Sequence, residues 1–281
     1  MQMPEIHHIV TAAEAGRTVK SLALKEMRLS RGRFSSLKFS GGLLADGVPV
    51  HADARLAAGQ TLTARWEEDA ALTPPLAPDV PFSIVYEDSD YFILDKPAPL
   101  PTLSSVHQSG PTLENALYAR LGAPERYVFR PVNRLDKGTS GLLAVARNAH
   151  AQQLLQKRLH TADFVREYQA ICEGAPPQIA GVIDLPIARV ENSVRREPRP
   201  NGQRAVTRYW VERAVPGRTL VRLRLETGRT HQIRVHLKAL GCPIVGDYLY
   251  GTPSPALDGR FALHACVLQF VHPFTGEKGR R

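Results

Sequence analysis

Asp136 lies in the run Arg134-Leu135-Asp136-Lys137-Gly138-Thr139-Ser140-Gly141-Leu142-Leu143, one carboxylate among cations, hydroxyls and glycines just ahead of an apolar stretch. A carboxylate placed this way can serve as a base, a metal ligand or a nucleophile. A second segment, Glu226-Thr227-Gly228-Arg229-Thr230-His231-Gln232-Ile233-Arg234-Val235-His236, can supply a cation to hold it in its charged form. Metal ligation wants companions, yet no second acid stands within several residues of Asp136 and no His-Glu-x-x-His pattern occurs. His231 and His236 lack an acidic partner at zinc-site spacing and read as ordinary hydrogen-bonding histidines, so no metal and no cofactor are expected. A lone ionised Asp beside Arg fits covalent catalysis on a sugar carbon or a pyrimidine ring.

These residues must be positioned by a larger domain that alternates strands and short helices without a regular βαβ rhythm. Ser83–Tyr86 and Tyr91–Leu94 read as strands around Glu87-Asp88-Ser89-Asp90, and Leu142–Ala146 as a buried strand from its continuous apolar run. His150 to His160 suits a helix, with Leu154, Leu155 and Leu159 on one side. Tyr168–Cys172, Thr207–Val211 and Leu220–Leu225 are further strands, the last alternating apolar and cationic residues. The sequence contains neither internal repeats nor a Gly-rich nucleotide loop.

Ahead of this domain the pattern changes. From Ala13 to Trp66 positive side chains outnumber negative ones, whereas Glu67 to Asp90 contains no Lys or Arg. Thr73 to Pro81 holds four prolines in nine residues, which cannot sustain a helix. The spacing therefore predicts a basic module over 13–66, an acidic Pro-rich linker over 67–81 and a large domain over 82–281. Within the module, Val19, Leu22, Ala23 and Met27 predict one amphipathic helix, and Ser30 caps a second that carries Arg31, Arg33 and Lys38 outward. Leu43 to Val50 reads as two short strands around an Asp46-Gly47 turn, with a further strand from Gly59.

The composition bounds the partners. The 281 residues carry a net charge of +9, with pI ≈ 9.7, which suggests a polyanion because Lys and Arg neutralise phosphates. No apolar run approaches the ~20 residues of a membrane span. The start MQMPEIHHIV lacks a secretory layout, so a cytoplasmic location is expected. Cys172, Cys242 and Cys266 form no paired spacing and read as reduced thiols.

The segments around Asp136 and Arg229 together resemble the RluA-type pseudouridine synthases, whose signatures run close to RLDxxTSGLL and GRTHQIRVH. The likeness extends to Tyr91–Thr102, Leu240–Gly251 and Arg260–Ala265, covering about residues 82–275. Asn133 stands where that family usually has His, and Pro99 where it has Gly. The string from Leu29 to Leu62 is similar to the S-four RNA-binding module. The resemblance implies an α+β catalytic domain on a mixed, largely antiparallel sheet, following a small α/β RNA-binding module. It implies action on structured RNA, ribosomal RNA ahead of transfer RNA; a monomer without a membrane partner is expected. It implies Asp136 as the catalytic carboxylate and Arg229 as the cation paired with it. It implies Tyr168, in Arg166-Glu167-Tyr168-Gln169-Ala170, as the ring stacked on a flipped uridine, and Arg134 as the side chain entering the emptied stack. Whether Asp136 attacks the sugar, attacks the ring or removes a sugar proton stays open. A non-catalytic RNA-binding or assembly factor on the same fold is the alternative. Asp136-Lys137-Gly138-Thr139 is also faintly similar to the aspartyl-phosphate loop of dehalogenase-like phosphatases, but Asn133 and Arg134 replace the apolar strand that such a loop follows.

Overall fold

The computed structural model describes residues 5–66, 73–104 and 110–281. The chain divides into two compact units, one of residues 1–71 with 148–150 and one of 72–147 with 151–281. In the first unit the order is β1 (Glu5–Ile9), α1 (Val19–Lys25), α2 (Arg31–Ser40), β2 (Leu43–Ala45), β3 (Val48–Pro49) and β4 (Thr61–Arg65). The strands form one sheet in the order β1-β4-β2-β3. Val19, Leu22, Phe34, Leu37, Leu43 and Leu62 supply its core.

Local chemistry sets these boundaries. Thr18 caps α1 by accepting from the Ser21 amide at 3.2 Å, and Ser30 caps α2 by accepting from the Arg33 amide at 3.0 Å. Gly41 ends α2 in the left-handed conformation at φ 71°. The Asp46 carboxylate accepts from the Thr61 amide at 2.8 Å and so fastens the expected turn onto β4. The expected helices and turn are present. β1 has no counterpart in the sequence reading.

The second unit runs β5 (Ser83–Glu87), β6 (Tyr91–Lys96), α3 (Leu113–Arg120), β7 (Arg130–Pro131), β8 (Ser140–Ala146), α4 (Ala149–Arg158, its residues from 151 onward belonging to this unit) and β9 (Phe164–Glu173). It continues with β10 (Ala180–Asp184), β11 (Ile187–Arg189), β12 (Arg196–Pro198), β13 (Val206–Val215), β14 (Arg218–Leu225), α5 (Gln232–Ala239), β15 (Leu263–Val271) and β16 (Lys278–Arg280). The main sheet has the order β10-β13-β14-β9-β15-β8-β6-β5, with β16 on β15 and β7 on β8. Among the described residues every pairing in it is antiparallel except β15 with β8. That is the mixed, largely antiparallel α+β sheet expected.

The parallel junction depends on a glycine. Gly141 has φ +106°, and a Cβ there would stand 2.3 Å from the Ala265 carbonyl oxygen. Only a residue without a side chain lets β8 close on β15 there, directly after the Asp136 loop. Of the expected linker, residues 67–72 lie outside the described residues, and 73–81 carries neither helix nor strand. Cys172 and Cys242 are buried and Cys266 half-buried, all three as free thiols. Among the described residues no helix is long and apolar enough to cross a membrane.

Candidate active site

Asp136 opens a turn between β7 and β8, in which the Thr139 amide donates to its carbonyl at 3.1 Å. Two neighbours hold this turn. Thr102 donates its hydroxyl to the Leu135 carbonyl at 2.7 Å and accepts from the Leu135 amide at 3.3 Å. The Leu100 amide donates to the Lys137 carbonyl at 2.9 Å. On the other side the Phe261 ring covers Gly138, where a Cβ would stand 2.4 Å from the ring. Asn133 is buried and accepts from the Ala144 amide at 3.1 Å, which ties the loop's start to β8.

Beneath the loop lies Lys96, fully buried at the end of β6. Its ammonium donates to the carbonyls of Pro97 at 2.9 Å, Leu100 at 2.7 Å and Lys137 at 3.4 Å. Burial pulls its pKa down to about 7, against the pull of Asp136 and Asp95 in the other direction.

The cation that meets Asp136 comes from α5. Arg234 is 2 % exposed, and its Nη1 donates to Asp136 Oδ2 at 3.2 Å. Its remaining edge is spent on the fully buried Asp247, with Nε to Oδ2 at 2.7 Å and Nη2 to Oδ1 at 2.8 Å. The guanidinium also lies 4.3 Å from the centre of the Phe261 ring and 5.0 Å from that of Tyr250. Burial works against the charge, but the bonds to Asp247 and the field of both carboxylates raise the Arg234 pKa above its ordinary value. The cation is permanent.

Around Asp136 opens a cavity of about 530 Å³, lined by Arg134, Asp136, Tyr168, Arg229, His231 and Arg234 among others. Tyr168 projects from β9, is 5 % exposed, and its phenol is held protonated chiefly by burial. Arg134 is exposed at the rim. His231 takes a left-handed conformation at φ 59°, with Nε2 4.0 Å from Asp136 Oδ2 and Nδ1 2.8 Å from the Tyr250 hydroxyl. Burial lowers its pKa, so the ring is neutral at pH 7. A partly exposed carboxylate backed by a fixed cation, in a cavity also lined by a protonated phenol, suits attack on an electrophilic carbon or removal of a proton.

Residues 90–239 match the family model for RNA pseudouridylate synthase. The chain is 36 % identical over 268 residues to the uncharacterized RNA pseudouridine synthase YjbO of Bacillus subtilis (strain 168), covering 94 % of this chain and 93 % of that one. It is 37 % identical to the ribosomal large subunit pseudouridine synthase D of Xanthomonas campestris pv. campestris, covering 96 % and 86 % of the two chains. The structure of human RNA pseudouridylate synthase domain containing 4 superposes with TM-score 0.56 at 26 % identity, over 70 % of this chain and 86 % of that one. The chain belongs to the RluA-type RNA pseudouridine synthases.

In this synthase four sequence-selected residues, Asp136, Arg134, Tyr168 and Arg229, line one cavity. The expected pairing of Asp136 with Arg229 is not what the fold makes. Arg229 precedes the left-handed turn at His231, and its Nε donates instead to the Arg204 carbonyl at 3.0 Å. Arg234 lies one helical turn beyond that bend and reaches Asp136 from within the core. The sequence reading also missed Asp247, whose position in Val245-Gly246-Asp247-Tyr248 gives no sign of a buried acid, and Lys96. His236 stands apart from the cavity, with Nδ1 2.9 Å from the Thr207 hydroxyl and Nε2 3.0 Å from the Leu185 carbonyl.

Two predictions separate these roles. Arg234→Met leaves Asp247 buried without its cation, so it is expected to lower stability by about 3–5 kcal/mol and to abolish turnover. Arg229→Met, at a half-buried position, is expected to leave the denaturation midpoint within about 0.5 kcal/mol of wild type. Urea unfolding of both variants checks this, and equal losses would remove the distinction.

The second concerns Lys96, whose folded pKa lies below its unfolded value. The unfolded chain therefore binds the extra proton between about pH 7 and pH 10.5, and folding stability rises with pH across that window. Below pH 7 both states are protonated and the stability gained at high pH is lost. Wild type minus Lys96→Met is thus expected to climb with pH at a slope of up to about 1.4 kcal/mol per unit. A pH-independent difference between their unfolding free energies would contradict the assignment.

Proposed function

We propose that this synthase isomerises uridine in large-subunit ribosomal RNA, with Asp136 as the reacting carboxylate. One observation carries the role of Asp136. Its Oδ2 is held by Arg234, whereas Oδ1 has no hydrogen-bond partner among the described residues and the side chain is 30 % exposed to the cavity. One oxygen fixes the direction and the other is left to react. Tyr168 offers its ring to a flipped base, and Arg134 at the rim is placed to occupy the space the base leaves. Arg229 contributes a cation for the substrate phosphate. The RNA class rests on the likeness to the ribosomal large subunit synthase of Xanthomonas campestris.

Asp136→Asn removes the charge but keeps the shape and one acceptor for Arg234. It is expected to fold and bind RNA while single-turnover conversion falls below about one per cent of wild type. Pseudouridine formation is measured on unmodified large-subunit ribosomal RNA and on transfer RNA in parallel. Retained turnover would exclude Asp136, inactive wild type would favour the binding-factor alternative, and conversion of transfer RNA alone would reassign the substrate.

The N-terminal unit reads as an S-four-like RNA contact, supported by the exposed Arg31 and Lys38 along α2. Replacing both with Gln in the full chain is expected to weaken RNA binding and to lower the salt slope by about two. An unchanged slope would show that α2 does not touch phosphate.

A further inference from the structure

Beside the active cavity lies a second cleft of about 590 Å³, bounded by the end of α4, the start of β9 and the β13–β14 pair. It shares Leu159, Leu225 and Arg229 with the cavity. Its walls carry Arg204, Arg208, Arg224 and Arg229, and the acid among its lining residues is Glu226. Glu226 bonds Arg208 at 2.5 Å and so is already engaged. The side chains of Arg204 and Arg224 have neither a carboxylate nor a hydrogen-bond acceptor among the described residues.

The strand register makes this arrangement costly. Arg208 and Arg224 stand directly opposite each other across β13 and β14, on one face of the sheet. Like charges at facing positions repel, and a single Glu226 cannot neutralise both. The wall between cleft and cavity repeats the pattern. Arg166 is 5 % exposed, its Nη2 donates to the Leu159 carbonyl at 3.2 Å, and its Nε is buried with no partner. An unpaired buried guanidinium is expensive unless an anion meets it. His160, between these groups, is kept neutral by burial and by the fields of Arg166 and Arg229, so it adds an uncharged donor or acceptor.

A chain of guanidinium groups that outnumbers its carboxylates, leading away from the active cavity, is chemistry for successive phosphodiesters. We propose that this cleft binds the RNA backbone immediately next to the nucleotide under isomerisation, with Arg166 and Arg229 at the phosphate nearest the cavity and Arg224, Arg208 and Arg204 at the next. The proposal rests on the synthase reading above. The cleft fixes where the strand leaves the cavity and thereby which uridine can enter it.

The test uses the full chain with Arg224→Gln, the Arg204→Gln/Arg224→Gln pair, and Arg218→Gln at the far end of the β13–β14 hairpin as control. The probe is a set of tiled, unmodified large-subunit ribosomal RNA fragments. Filter binding is measured across a salt series on the fragment that wild type converts. Each contact removed is expected to weaken binding about fivefold to tenfold and to lower the salt slope by about one, while Arg218→Gln keeps the wild-type values. A neutral methylphosphonate placed in turn at the phosphates beside the target is expected to weaken wild type at one position and to add no further loss in Arg224→Gln. Wild-type affinity and slope in the paired variant, or full additivity with every methylphosphonate, would overturn the cleft assignment. Absence of pseudouridine with wild type on every fragment would instead sink the substrate reading, and the binding comparison on the most tightly bound fragment would still decide the cleft.

Discussion

The Asp136 loop depends on one buried cation divided between two acids. Arg234 is inside the core, where an unpaired charge would cost several kcal/mol, and Asp247 neutralises it through two parallel hydrogen bonds. A planar guanidinium held along one edge cannot swing, so its remaining Nη1 points in a fixed direction. That direction ends at Asp136. Asp247 is held in turn, since its Oδ1 also accepts from the amides of Leu249 and Tyr250 at 3.0 and 3.2 Å. Lysine in place of Arg234 could not serve both acids, because an ammonium lacks the flat fork that separates the two contacts.

The loop itself is fixed by backbone bonds rather than by side-chain packing alone. Leu100, Thr102 and Lys96 bind the carbonyls of Leu135 and Lys137, the two residues flanking Asp136, which constrains the chain without touching the Asp136 carboxylate. Gly138 and Gly141 let Phe261 and β15 approach from the other side. The backbone at Asp136 is thus fixed by its setting, which is the preorganisation that the proposed reaction demands.

Much of this was legible in the residues, and the parts that were not have physical causes. The strand that follows Asp136 announced itself through the continuous apolar run Leu142–Ala146, and α2 through the capping chemistry of Ser30. The helix α5 did not. Gln232-Ile233-Arg234-Val235-His236-Leu237 alternates polar and apolar residues as a half-buried strand would, yet all six are buried in a helix. Its polar members face buried partners: Gln232 meets Thr227 and Thr207, Arg234 meets Asp247, and His236 meets Thr207. Periodicity reports the contrast between solvent and core, and it fails where both faces are core. The family resemblance assigned the pairing to Arg229 rather than Arg234, and nothing in the residues corrected it, since a sequence does not reveal that a guanidinium is buried until its acid is known. Lys96 was hidden likewise, because its partners are carbonyls, which every residue possesses.

The division of Arg234 between two acids also bears on what happens during the reaction. In the role proposed for Asp136, whether it bonds to the sugar, bonds to the ring or takes a proton, its negative charge would fall. A cation paired with Asp136 alone would then be left buried and uncompensated at the moment when geometry matters most. Here the stronger pair, two bonds at 2.7 and 2.8 Å to Asp247, does not involve Asp136, which is held by a single contact at 3.2 Å. Arg234 would therefore stay neutralised by Asp247 if the charge on Asp136 changed as proposed. Arg229 could not do this from its half-buried place at the cavity wall, where solvent and the Arg204 carbonyl already satisfy it. The buried pair of Arg234 with Asp247 is what would let the proposed charge change at Asp136 leave the core intact.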